Sequence, residues 1–319
     1  MKVLIADKFE KAGQEKLQAL GCNVTLDADL SGESLRDAVR DSECQVLVVR
    51  STKVTPEIIE AAGHLEVIIR AGAGYDTIDT AAAKARNIRV CNCPGKNSVA
   101  VAELVMGMIL TLDRRIVDNT VDLRNGVWAK KQYSKARGLK GRTLGVVGLG
   151  RIGYEVARRA ASFDMNLIYS DVIEQKEMEQ ELGIRKVSFD QLLAEADFIT
   201  LDVPGGEKTK HMMSEAQFAR MKPTAFVINC SRGGVLDQKA LAKAVEDGQI
   251  AGAGLDVYEM EPLVTDKEFK DPVVHTRNVY GTHHIGASTE QAQLAVADEV
   301  VRIIETKMKG QEPPNCVNL

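Results

Sequence analysis

Along the first part of the chain, short aliphatic and β-branched runs alternate with stretches in which apolar residues recur at helical spacing. KVLIAD, NVTLDAD, QVLVVRS, EVIIRAG and IRVCNC have the length and composition of strands. EKAGQEKLQALG, SGESLRDAVRD, TPEIIEAAG and IDTAAAKARN, lying between them, have the period of amphipathic helices. The punctuation agrees. Thr55 before Pro56 reads as an N-cap followed by proline at the first helical position, and Gly21 and Gly63 stand where C′ glycines belong. Strand and helix in strict alternation predict a parallel, doubly wound unit.

From Ser98 the pattern changes. An apolar-rich stretch runs to Gly126, too long for an ordinary crossover helix, with Met106 and Met108 read as core fillers. A basic, irregular segment, AKKQYSKARGLKGR, follows. A second series then opens at Thr143 with the strands TLGVVG, NLIYSD, DFITLDV, AFVINCS and AGAGLDV, and a last helix, STEQAQLAVADEVVRIIETKMKG, ends at Gly310. The pattern predicts two α/β domains with a ligand cleft between them.

Composition narrows the class. With 45% hydrophobic but only 4% aromatic residues, the core must be aliphatic, which suits α/β packing better than all-β. A formal charge of -4 gives no basic field for nucleic acid. The six cysteines lack the paired spacing of a zinc or redox site, and Cys91 and Cys93 read as small buried hydrophobes on one strand face. The short apolar run before Asp7 is too brief for a signal peptide, and no run is long enough to span a bilayer, so a soluble, cytoplasmic protein without membrane partners is expected. The glycosylation pattern at Asn23 carries no weight in such a chain.

The strongest motif opens the second series. Gly148, Gly150 and Gly153 form GxGxxG directly after an apolar strand and at the start of a helix, and Asp171 ends the next strand. Such glycines let a pyrophosphate approach the backbone, where the helix N-terminus holds it. A carboxylate at Asp171 would accept from a ribose 2′-hydroxyl and repel a 2′-phosphate, so NAD is expected rather than NADP. A glycine turn that merely packs helix on strand is the competing reading, and the strand, helix and Asp together outweigh it.

Chemistry must be sought elsewhere, because many reactions share a dinucleotide domain. Three later strand ends carry polar groups: NCSRGGVLD with Arg232, GLDVYEMEP with Asp256 and Glu261, and GTHHIGAST with His283 and His284. Together with RAGAGYDTID, NSVAVAEL, LGVVGLGRIG and HIGASTEQAQ, in that order along nearly the whole chain, these stretches resemble the D-2-hydroxyacid dehydrogenase family, most closely its phosphoglycerate branch. The resemblance implies a Rossmann NAD-binding domain over 99–286 and a discontinuous, flavodoxin-like substrate domain over 1–98 and 287–319. It implies Arg232, Glu261 and His284 as the catalytic set. His283 stands where relatives usually have proline and reads as a strand-end spacer. His64, His211 and His275 read as ordinary surface or packing residues.

Those residue types suit the oxidation of a 2-hydroxy acid. A histidine is matched to proton transfer at neutral pH, a carboxylate on its other nitrogen fixes the tautomer, and a guanidinium holds the substrate's carboxylate and C2 oxygen. By resemblance Asp256 meets the nicotinamide carboxamide. Ala73, Arg151, Ile152, Val203, Pro204, Cys230, Ser231 and Gly286 complete the cofactor's lining, with Arg232 and His284. Asp202 stands where relatives often have histidine. The GGEKTK that follows imitates a P-loop without its glycine and spacing.

For the substrate, the glycine-rich stretch with Arg70, Gly72, Ala73 and Gly74 can offer amides to a carboxylate, as in the family, with Asn97 nearby. Arg50 and Ser51 at a strand end suit a phosphate, one as charged fork and one as hydroxyl donor. A 2-hydroxy or 2-keto acid, first 3-phospho-D-glycerate and next glyoxylate, hydroxypyruvate or another short keto acid, is the expected ligand. Lys130, Lys131, Lys135 and Arg137 either reach toward a neighbouring subunit, as in relatives, or form a solvated basic loop. The family implies a homodimer through the cofactor domain. An NAD-sensing regulatory protein without turnover is the alternative of another class. The short end after the last helix predicts that the serine-binding regulatory domain of longer relatives is absent.

Overall fold

The computed structural model describes residues 1–262 and 268–319. It divides into two compact units, residues 1–97 with 287–319, and residues 98–286.

The first unit is built from β1 (Lys2–Ile5), α1 (Lys11–Ala19), β2 (Asn23–Leu26), α2 (Gly32–Ser42), β3 (Val46–Val49), α3 (Pro56–Ala61), β4 (Val67–Arg70), α4 (Thr80–Ala85) and β5 (Arg89–Asn92). Its sheet runs β2-β1-β3-β4-β5, parallel throughout, the flavodoxin-like order with its switch point between β1 and β3. Because both faces are covered, the central strands read as unbroken apolar runs. One face packs Leu4, Leu47 and Ile68 with Leu35, Val39 and Ile58 of α2 and α3. The other packs Ile5, Val48, Cys91 and Cys93 against Val300, Ile303 and Ile304 of the C-terminal helix Glu290–Met308. Cys91 and Cys93 are thus buried fillers.

Two of the predicted helix boundaries are held differently from the sequence reading. Gly21 takes the left-handed C′ conformation, φ +84°, but Gly63 does not. The carbonyls at the end of α3 are instead satisfied by Arg86, whose guanidinium donates to the oxygens of Ile59, Glu60 and Ala62, so no glycine turn is needed there. Thr55 does occupy the N-cap, yet its side chain bonds none of the helix's first amides.

The second unit contains α5 (Ser98–Arg114), α6 (Ile116–Arg124), α7 (Lys130–Tyr133), β6 (Thr143–Val147), α8 (Arg151–Ala161), β7 (Asn166–Ser170), α9 (Lys176–Leu182), β8 (Arg185–Lys186), α10 (Phe189–Glu195), β9 (Phe198–Leu201), α11 (Glu215–Phe218), β10 (Phe226–Asn229), α12 (Gln238–Glu246), β11 (Gly252–Leu255) and β12 (Val279–Gly281). All of its strand pairs are parallel, in the order β12-β11-β10-β9-β6-β7-β8, the Rossmann order extended by one strand. The long apolar stretch is two helices, broken where Arg115 turns left-handed at φ 50°. Met106 and Met108 of α5 do fill the core, beside Phe198, Ile228 and Cys230. The edge strands β8 and β12, two and three residues long, are too short to leave a periodic signal.

A buried charge cluster fixes the entry to β6. Arg142 Nη1 donates to Asp113 Oδ1 at 3.0 Å, its guanidinium lies over the Phe198 ring, and Asp113 also accepts the Gly138 amide.

Candidate active site

The site of the second unit grows from the carboxyl ends of its strands. After β6 the chain turns tightly through Gly148, φ +93°; a Cβ there would lie 2.8 Å from the Asp202 carbonyl oxygen. At Gly153 a Cβ would lie 2.3 Å from the Gly148 oxygen, so only glycine lets α8 start this close to the turn. Gly150, the N-cap of α8, has open space around it and no side chain bonding the helix's first amides. That leaves N–H groups and the positive end of a helix facing outward, the local chemistry of an anion site. Asp171 follows β7, accepting the Leu149 amide at 2.8 Å and the Ile173 amide at 2.9 Å. It is thereby fixed beside the glycine turn with lone pairs to spare. Arg151 is exposed at the start of α8, and Ile152 packs beneath it on the core.

Beyond β10, buried Asn229 shapes the next turn. Its Oδ1 accepts from the Ser231 amide and hydroxyl and its Nδ2 donates to the Arg232 carbonyl. Cys230 is buried against Met108, and burial pushes its thiol well above the usual range. The stem of Arg232 lies on the backbone of Gly205, just past Val203 and Pro204, and its Nη1 donates to the Ser231 carbonyl. Gly233 then meets the next loop so closely that a Cβ would sit 1.9 Å from the Tyr258 carbonyl oxygen.

That loop carries the acid. Glu261 accepts the Tyr258 amide on Oε1 and pairs with His284 Nδ1 through Oε2 at 2.7 Å. Burial alone would raise its carboxyl, but the hydrogen bond and charge of His284, the Tyr258 amide and the charge of Arg232 outweigh it and hold the group below the ordinary range. The bond to Nδ1 places that ring nitrogen's proton toward Glu261 and leaves Nε2 with its lone pair.

The loop bearing His284 is gripped by Asp256, 1% exposed at the end of β11. Its carboxylate takes the Thr282 hydroxyl at 2.6 Å and the amides of Ile285 at 2.8 Å and Gly286 at 2.7 Å. The Tyr258 hydroxyl holds the Thr282 carbonyl. Between these anchors His284 adopts a left-handed backbone, φ 52°, which a side chain tolerates only when its surroundings impose it. His283 is exposed and makes no hydrogen bond or ion pair among the described residues. The structure therefore pairs Glu261 with His284, brings Arg232 near enough for its charge to act on Glu261, and gives Asp256 a scaffolding duty that the sequence did not reveal.

Histidine 211 also has company that sequence reading missed. Its Nε2 lies 3.2 Å from Glu259, and Glu259 and Gln238 exchange backbone and side-chain hydrogen bonds.

In the first unit, the predicted substrate residues cluster at their own strand ends. Asp7, after β1, accepts the amides of Arg50, Ser51 and Thr52 on one carboxylate oxygen, at 2.6, 3.1 and 3.1 Å. Arg50 reaches Ser288, and Ser51 is exposed. The Arg70 guanidinium lies across Gly72, where a Cβ would meet it at 1.6 Å. Asn92 donates to the Ala73 carbonyl, bracing the loop that leads to Gly74. Asn97 Oδ1 is buried without a hydrogen-bond partner among the described residues. Asp7 was hidden from sequence reasoning because only the β1–β3 pairing brings it to residues 50–52.

A Rossmann sheet with an open glycine turn, a fixed acidic residue after its second strand and an imidazole–carboxylate pair at another strand end defines a dinucleotide-binding α/β protein. Residues 106–286 match the NAD binding domain of the D-isomer specific 2-hydroxyacid dehydrogenases, and the chain belongs to that family. D-3-phosphoglycerate dehydrogenase of Methanocaldococcus jannaschii is 42% identical over 321 residues, covering 100% of this chain and 60% of its own. Glyoxylate reductase of Thermococcus litoralis is 41% identical over 290 residues, covering 89% of this chain and 86% of its own. D-lactate dehydrogenase of Aquifex aeolicus, solved with NAD and lactic acid, superposes with a TM-score of 0.87 at 29% identity, covering 100% of this chain and 99% of its own. The chain spans about 60% of the length of the phosphoglycerate dehydrogenases it resembles.

Proposed function

We propose that this protein is an NAD-dependent oxidoreductase acting at C2 of a D-2-hydroxy or 2-keto acid. The observation that carries the reading is the His284–Glu261 pair at 2.7 Å with Arg232 at its side. In the direction of reduction, negative charge develops on the C2 oxygen and protonated His284 delivers its Nε2 proton there. In oxidation, Nε2 takes that proton from the hydroxyl. Glu261 stabilises the imidazolium, and Arg232 holds the substrate carboxylate and polarises the C2 oxygen. When bound, the dinucleotide would supply or accept the hydride.

The fit to NAD rests on the open glycine turn, on Asp171, and on the residues after it. Val172 and Ile173 are 99% and 61% exposed, so an apolar surface stands where a 2′-phosphate would need a cation. The six free cysteines suit a reducing cytoplasm, where we place the protein.

Among substrates we put 3-phospho-D-glycerate first, with the oxidised product serving serine biosynthesis. Arg50 and Ser51 would take the phosphate, Asn97 and the loop of Arg70, Gly72, Ala73 and Gly74 the carboxylate end. Asp7 gives the second choice its support. Its carboxylate already fills the amides of residues 50–52 and would oppose a dianion, which favours glyoxylate or hydroxypyruvate. The deciding experiment measures NADH oxidation with 3-phosphohydroxypyruvate, hydroxypyruvate, glyoxylate and pyruvate. Turnover of any supports the class, and turnover of none contradicts it. If phosphate is recognised, Arg50→Ala raises KM for the phosphorylated acid far more than for glyoxylate; equal effects would remove that argument.

We propose, finally, that two copies associate through α6 and the segment after it. Ile116, Val117, Val121, Leu123, Val127 and Trp128 are each between 45% and 79% exposed there, more apolar surface than a solitary protein usually leaves open.

A further inference from the structure

We infer that Cys91 and Cys316 are a redox pair: with an oxidised small-molecule disulfide they join in a reversible bond that fastens residues 315–318 to the edge of the first unit's sheet. Neither residue belongs to the site described above, so the pair stands or falls apart from the proposed function.

The sheet of the first unit ends at β5, and residues 315–318 lie along its free edge. The Asn92 amide donates to the Asn315 carbonyl at 3.3 Å, and the Val317 amide donates to the Val90 carbonyl at 2.8 Å. The Asn318 side chain covers more of the edge, accepting the Val90 amide and donating to the Ile88 carbonyl, each at 2.8 Å. The two backbone bonds flank Cys91 and Cys316, which face each other across an antiparallel bridge. They are therefore a non-hydrogen-bonded pair, the kind whose side chains share one side of a sheet and whose Cα atoms approach to about 4.5 Å.

A disulfide spans a Cα separation of about 4.4–6.8 Å, so this pairing admits one near the short end, where a bridge is strained and readily reduced. Cys91 is wholly buried, and Cys316 packs beside it in the same apolar cluster while staying partly open to solvent. The Cys316 thiol donates to Asn318 Oδ1 at 3.3 Å. Burial first, and then the charge and hydrogen bonding of Cys316, push the Cys91 thiol up to about 12, as expected where a second thiol lies against it. Cys93 is two residues further along the same strand direction, and its thiol is turned to the Val296 carbonyl, 3.9 Å away.

The difference in exposure sets the order of events. The Cys316 thiol loses its proton and attacks one sulfur of the small disulfide, whose S–S bond breaks; a mixed disulfide forms and one small thiolate leaves. The Cys91 thiol then loses its proton, attacks the Cys316 sulfur and displaces the second small thiolate. The two protein thiols give up two electrons, and the small disulfide takes them, with the two protons, to become two thiols. A thiol-rich cytoplasm keeps the pair open, and a rise in small disulfides closes it. The first unit is made of two stretches of chain, 1–97 and 287–319, and the bond ties one to the other. Closing so long a loop restricts the unfolded chain far more than the folded one, so the oxidised protein is the more stable.

The test incubates the reduced full chain with oxidised glutathione, counts thiols after denaturation, maps the linked peptides and follows thermal unfolding. The expected result is loss of two of the six thiols, a single link from Cys91 to Cys316 with no glutathione retained, and a Tm about 5 °C higher, all reversed by dithiothreitol. Cys93→Ala should still form the link, and Cys316→Ser should keep its remaining thiols and show no rise in Tm. Six thiols left unchanged, a link between other cysteines, or a glutathione adduct that stays on Cys316 overturns the inference. A Cys91–Cys316 link that leaves Tm where it was overturns the fastening of residues 315–318. The wild-type arm decides even where a variant does not fold.

Discussion

Asp171 builds the turn it stands beside, and under the proposed function it also selects the cofactor. Its two oxygens fix the Leu149 and Ile173 amides, and each keeps a lone pair for the ribose hydroxyls that the proposed function calls for. Asp171→Ala should weaken NADH binding about tenfold, the loss of charge-assisted hydrogen bonds, and narrow the preference for NADH over NADPH; cofactor titrations followed by fluorescence would check both. This residue was legible in the sequence because glycine turn, helix and acid fall within one βαβ unit. Asp256 and Asp7 were not legible in the same way. Asp256 could be seen at a strand end, but its grip on residues 282–286 depends on β11 lying beside β12. Asp7 meets residues 50–52 only through the sheet. His283 and His284 are told apart in the sequence only by the family resemblance; in the structure both are exposed, and it is His284, on a left-handed backbone, whose ring pairs with Glu261.

The loops that deliver Arg232 and Glu261 are elements in contact, and their contact is backbone on backbone at Gly233. A methyl group there has no room beside the Tyr258 carbonyl, so Gly233→Ala should displace one loop from the other. We expect activity to fall about a hundredfold, as for other misplacements of catalytic groups by an ångström, with NADH binding largely kept. Equal activity of Gly233→Ala would show that the two loops need not be in register. The seam between α5 and β6 is held by buried charge. Asp113→Ala takes from the buried Arg142 its hydrogen-bonded carboxylate at 3.0 Å, leaving only Asp197 at 4.0 Å, and should cost about 3 kcal/mol in denaturant unfolding, with unchanged site chemistry. The alternation of strands and helices made most elements readable. The exceptions have physical reasons: a helix broken by a single left-handed residue carries no breaker in its sequence, and a three-residue edge strand cannot show a period.

At the scale of the whole molecule, composition foretold an aliphatic core and the strand order follows the two α/β patterns expected. The identity of the second copy proposed for the α6 face was beyond composition, because exposure belongs to the fold and not to the letters. Trp128, the chain's single tryptophan, stands 79% exposed on that face and serves as its own reporter. Dilution through the dissociation range should red-shift its emission while sedimentation reports mass falling toward 34.8 kDa. Emission and mass that do not change together would argue against this face as the interface.

Under the proposed function the imidazole of His284, and not its neighbour's, moves the substrate proton. The most direct measurement is single-turnover oxidation of bound NADH by the best keto acid, for wild type, His284→Asn and His283→Asn, with NADH affinity measured in parallel. We expect a loss of about 10²–10⁴-fold for His284→Asn with NADH binding retained, and a far smaller change for His283→Asn. Equal losses in the two variants, or a His284→Asn enzyme that turns over at the wild-type rate, would contradict it.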